Sequence, residues 1–136
     1  MKKILIVCST HFYDKIDEIK KELEKRFEVY LPNGYGNEND GKNYEEMTNE
    51  EYCDFFKSQF LESREKVSKI DCVLVLNYEK NGKPNYIGAS TFLEMYEAYM
   101  NDKTIYIMND LPNNLLHDEM KGFNPIIINN DLSKIE

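Results

Sequence analysis

At 136 residues and 41% hydrophobic, the chain has enough apolar material for one core and little more. Its formal net charge of -8 repels phosphate backbones and so excludes a nucleic-acid polymer as the expected partner. The three cysteines have no CxxC spacing and the two histidines lie far apart, so no metal site is expected.

In chain order, Ile4, Leu5, Ile6, Val7 and Cys8 form an unbroken apolar run, the mark of a strand buried on both faces. The preceding Lys2 and Lys3 give it the charge order of a signal peptide. The run is shorter than the ~7 residues such a core needs, so a buried strand in a cytoplasmic protein is expected. Asp14 is placed to cap a helix whose apolar face is Ile16, Ile19, Leu23 and Phe27. A short strand over 27–31 is stopped by Pro32, Asn33 and Gly34. Residues 33–46, rich in Gly, Asn and Asp, read as a long polar loop and, from that length, as a flap over a crevice.

Thr48 and Glu51 have the spacing of a capping box and predict the start of a long helix. Tyr52, Phe55, Phe56, Phe60 and Val67 form its expected buried stripe. Residues 71–77 read as the third strand, and a glycine-containing loop to Gly88 leads to a helix over 90–101. A fourth strand is expected over 104–108 and a short helix over 113–121, with Gly122 as its left-handed terminator. A fifth strand follows over 125–129. No stretch approaches the ~20 apolar residues of a membrane-spanning helix.

This alternation predicts one doubly wound α/β domain over 1–136, flavodoxin- or Rossmann-like, with about five parallel strands in the order 2-1-3-4-5. That order reverses between strands one and three, where ligands bind outside the carboxyl ends. The loop after strand one offers Ser9, Thr10, His11, Phe12 and Tyr13. The end of strand three offers Asn77, and the end of strand four Asn109 and Asp110. The helix after strand three brings Gly88, Ser90, Thr91 and Glu94 to the same edge. A carboxylate near a helix N-terminus is favoured in its ionised form. In that form it can trap a sugar's anomeric carbon as an ester. Thr91 and Glu94 also have capping-box spacing, so a purely structural role stands beside the catalytic one.

The stretch 71–108 resembles the nucleoside 2-deoxyribosyltransferase superfamily. Asp71 opens the strand, Gly88 sits in the turn, Glu94, Met95, Tyr96, Glu97 and Ala98 align with the nucleophile motif E-x-G-x-A, and Lys103 precedes strand four. Tyr96 stands where that motif has glycine. The segment from Gly88 to Glu94 also looks like the GGxGTxxE signature of cytokinin-activating phosphoribohydrolases. Both resemblances imply cleavage or transfer at an N-glycosidic bond of a nucleoside or nucleotide, with Glu94 as nucleophile and no cofactor. The transferase resemblance also implies a homo-oligomer, for which Tyr96 and Tyr99 are candidate contacts. A non-catalytic nucleotide-binding or sensor domain of the same fold is the alternative.

Overall fold

A computed structural model describes residues 1–36 and 44–136. Five strands, β1 (Lys2–Val7), β2 (Phe27–Tyr30), β3 (Cys72–Val75), β4 (Thr104–Ile107) and β5 (Ile126–Ile127), form one sheet in the order β2-β1-β3-β4-β5. Every pairing is parallel, with Ile4 opposite both Val29 and Cys72, and Val73 opposite Ile105. The expected architecture and strand order are therefore those of the protein. Helices α1 (Ile16–Leu23), α2 (Asn49–Lys69), α3 (Ala89–Met100) and α4 (His117–Gly122) make the crossovers.

Strand side chains alternate between faces, and two apolar layers follow. Ile4, Ile6, Cys72, Leu74 and Tyr106 pack under Phe12, Ile16 and Leu23, with Ile135 closing the same face. Leu5, Val7, Val73, Val75, Ile105 and Ile107 pack under Val67, Met95, Ala98 and Met120 from α2, α3 and α4. No helix among the described residues is long and apolar enough to cross a membrane.

Several local expectations are corrected. Asp14 caps nothing at α1. The chain instead leaves β1 through a 3-10 turn, Thr10–Lys15, whose N-cap Ser9 accepts from the His11 N–H at 3.3 Å. Gly122 is the last helical residue of α4, and Asn124, with φ at 53°, takes the left-handed turn beyond it. The capping box at Thr48 and Glu51 is present, and α2 begins beside it at Asn49. Half of the loop expected over 33–46, residues 37–43, lies outside the described residues, and Tyr44–Glu46 form a 3-10 turn.

The buried stripe expected on α2 is also corrected, and the reason is length. With 21 residues at ~1.5 Å per residue, α2 is about 31 Å long. The four residues of β3 cover only about 13 Å. Since α2 returns from the carboxyl end of β2 to the amino end of β3, its first turns overshoot the carboxyl edge of the sheet. Val67 is buried against the sheet. Tyr52 and Phe60 are exposed and Phe55 and Phe56 half-buried; Tyr52, Phe55 and Phe56 make ring contacts to Tyr44, and Phe60 to Phe56.

Candidate functional site

The overshoot of α2 stands beside α3 and opposite the loop after β1, and the three enclose a groove of about 630 Å³. It lies at the carboxyl edge between β1 and β3, where the order of the strands reverses. Its volume falls within the range typical of small-molecule sites, roughly 300–1,000 Å³. One wall is aromatic: Tyr44, Phe55, Phe56 and Phe60, faced by Tyr96 and Leu93 from α3. The opposite lip is polar, formed by Ser9, Thr10 and Tyr13 with Gly88, Ala89, Ser90 and Thr91.

Gly88 is the N-cap of α3, and it supplies no side-chain cap. The helix therefore starts three residues before the position that a capping box at Thr91 requires. Thr91 is buried at the third helical position, and Glu94 falls in the second turn. The capping role of Glu94 is thereby removed. So is the expected dipole stabilisation, which fades beyond the first turn. Gly88 itself has an ordinary φ of -82°, and a side chain there would meet only the Tyr86 ring at 3.5 Å. Its backbone makes no demand for glycine.

Glu94 is half-buried at the groove. Its Oε2 accepts from the Ser63 hydroxyl of α2 at 3.3 Å. Burial pushes the carboxyl up from 4.5 to about 7, against the downward pull of the Ser63 hydrogen bond and the Lys66 ammonium. The expected direction is thus reversed: desolvation outweighs the groups that favour the anion. The Cys8 thiol also lines the groove and is pushed up to about 12 by burial, then by the Glu94 and Asp14 charges. A thiol held in that form is a poor nucleophile.

Ser63 also accepts from Asn33 Nδ2 at 2.9 Å. The same amide nitrogen donates to the Gln59 carbonyl at 3.1 Å. The Asn33 carbonyl in turn accepts from the Tyr13 hydroxyl at 3.3 Å. Beside this set, Arg64 of α2 pairs with Glu97 of α3. The sequence patterns do not touch Gln59, Ser63 or Arg64, and they include Asn33 only as part of a strand stop and Glu97 only as a spacer in the aligned motif. Their meeting depends on α2 lying against α3, which no local pattern signals.

The structure brings Ser9, Thr10, Tyr13, Gly88, Ser90, Thr91 and Glu94 together on the groove. The other expected site residues do not line it. His11 is exposed with its ring edge on Phe12, and Phe12 is buried against Tyr78. Asn77 is fully buried, and its side chain is spent on the β4 end: Nδ2 donates to the Asn109 and Asp110 carbonyls and Oδ1 accepts from the Asn109 N–H. Asn109 returns a bond to the Asn77 carbonyl and accepts from Asn130. These amides staple strand ends. Asp110 borders a separate, shallower depression with His117 and Lys121. Among the described residues, no group of three His, Cys, Asp or Glu side chains is placed to hold a metal ion.

No protein-family model and no curated protein sequence matches the chain. Among solved structures, the fold is similar to that of BcmB, a CMP N-glycosidase of Clostridium botulinum, with a TM-score of 0.53 and 11% identity over 93% of this chain and 88% of that one. It is also similar to FerB, a flavoenzyme NAD(P)H:(acceptor) oxidoreductase of Paracoccus denitrificans, with a TM-score of 0.53 and 13% identity over 94% of this chain and 75% of that one. At these identities the likeness is one of fold. What the comparison bears out is a distant relationship of fold to BcmB.

Proposed function

We propose that the groove binds a nucleoside or nucleotide and that Glu94 cleaves its N-glycosidic bond. The observation that carries this reading is the half-buried Glu94 carboxyl, its pKa raised by desolvation, at the junction of an aromatic wall and a hydroxyl-rich lip. Aromatic rings at Phe56, Phe60 and Tyr96 suit the flat face of a base. Ser9, Ser90 and the first N–H groups of α3 suit the oxygens of a sugar or phosphate. The Glu94 carboxylate attacks the anomeric carbon, and the bond to the base breaks with its electron pair leaving on the base nitrogen. Water, or a second base, then attacks the glycosyl ester and restores the carboxylate. With water, the net result is one water consumed, a hydroxyl on the sugar and a hydrogen on the base. In a groove of low dielectric the anion acts strongly on the cationic centre that develops during cleavage. BcmB, similar in fold, is a CMP N-glycosidase, an activity of the same reaction class.

One observation favours a second reading, a nucleotide-binding module without turnover. The other groove carboxylate, Glu97, is held by Arg64, so the lining places no evident second acid–base group beside Glu94. Chromatography of deoxynucleosides, ribonucleosides and their monophosphates after incubation with the protein separates the two. Free base that disappears in Glu94→Gln supports cleavage. Thermal stabilisation by the same compounds without release of base supports the module. Only the ionised carboxylate attacks, so kcat/KM is expected to rise with pH through about 7. We also place a homodimer contact on the outer faces of α2 and α3, where Leu61, Tyr99 and Met100 stand exposed.

A further inference from the structure

We infer that Asn33 is a positioning residue: its amide turns the Ser63 hydroxyl proton onto Oε2 of Glu94 and leaves Oε1 as the oxygen that meets the substrate. The inference rests on the reading of Glu94 as nucleophile and deepens it.

The argument is one of donor and acceptor counting. The Gln59 carbonyl can only accept, so the atom of Asn33 that faces it at 3.1 Å is the amide nitrogen. That fixes the amide, and its second N–H reaches the Ser63 hydroxyl oxygen at 2.9 Å. A hydroxyl has one proton to give. With Asn33 donating to its oxygen, that proton is directed to the remaining partner, Glu94 Oε2 at 3.3 Å. Oε1 of Glu94 has no partner among the described residues. The orientation leaves Asn33 Oδ1 buried and unpaired. Leaving such an atom without a partner is unfavourable. Flipping the amide would put Oδ1 against the Gln59 carbonyl, so the orphan is the consequence of holding the donor toward Gln59, which also presents it to Ser63.

The titration of Glu94 tests this directly, because a hydrogen bond aimed at the anion lowers its pKa. Glu94 shares its surroundings with Cys8 from the end of β1, Arg64 and Lys66 from α2, and Glu97 from α3. None of these changes in the variants. Carboxyl carbon-13 NMR of glutamate-labelled protein, with Glu94 assigned by its loss in Glu94→Gln, gives the midpoint. Ser63→Ala is expected to raise it by roughly one unit, and Ser63→Thr to restore it. Asn33→Ala is expected to raise it too, and the double variant to go no further than Ser63→Ala, because the two residues act in series. Shifts that add, or an Asn33→Ala midpoint equal to wild type, would overturn the inference. If Asn33→Ala does not fold, the near-isosteric Asn33→Asp replaces it. Its carboxylate takes the Ser63 proton, so its midpoint is expected at or above that of Ser63→Ala, and any lower value counts against the relay. The measurement is made on the free protein. A wild type that releases no base removes the nucleophile, whereas a relay that fails the titration leaves base release intact.

Discussion

Arg64 and Glu97 pair across α2 and α3 immediately beside the Ser63–Glu94 contact. The pair fastens α2 to α3 beside the groove. The Arg64 side chain is 69% exposed, so solvent screens the attraction. Arg64→Ala is expected to lower unfolding free energy by under ~1 kcal/mol and to raise KM for the groove's ligand more than it changes kcat. Urea unfolding and steady-state kinetics on the one variant measure both.

Glu94→Gln is expected to act on stability in a pH-dependent way. The folded-state carboxyl titrates near 7, above its ordinary 4.5. Folding therefore holds a proton that the unfolded chain has released, and wild-type stability falls as pH rises from about 4.5 to about 7. Glutamine does not titrate and still accepts from Ser63. The variant should match wild type near pH 4 and exceed it above pH 8, by up to about 3 kcal/mol. Equal stabilities at pH 5 and pH 8.5 in wild-type protein would show that Glu94 is not shielded as described.

Asn77→Ala removes an amide that holds the Asn109 and Asp110 carbonyls and the Asn109 N–H. Those groups lie at the end of a fully buried side chain. The expected cost is about 3 kcal/mol, seen as a lowered denaturation midpoint. Because Asn77 does not line the groove, KM in folded protein should stay within about twofold of wild type, a difference of ~0.4 kcal/mol. A large rise in KM without loss of stability would return Asn77 to the ligand.

The proposed homodimer is expected to part when charge is placed on its contact. Met100→Glu changes an exposed side chain near the end of α3, outside the groove lining. Sedimentation at tens of micromolar, a range that standard interfaces satisfy, should show a dimer for wild type and a monomer for the variant. A monomeric wild type removes the contact.

The sheet was legible because apolar runs such as Ile4 to Cys8 report burial on both faces without knowledge of anything distant. Strand order followed from the alternation of elements and handed crossovers. The two T-x-x-E segments show where local reading stops. Thr48 and Glu51 form the box that their spacing promises. Thr91 and Glu94 do not, because Gly88 starts α3 earlier. Spacing is identical in the two, and only the point where the chain leaves the sheet differs. The aromatic positions of α2 failed for a related reason: helical periodicity identifies an apolar face but not whether the sheet is long enough to cover it. Asn33 and Ser63 are 30 residues apart, and nothing in the neighbourhood of either announces the other.

The reach of α2 past the sheet separates what holds the protein together from what the groove recognises. Val67 and Ile70 carry the anchoring, while Phe56 and Phe60 wall the groove. A lineage, or an engineer, can redraw that wall one ring at a time without spending the stability that the sheet provides. Selection on ligand choice and selection on folding then act on different turns of the same helix.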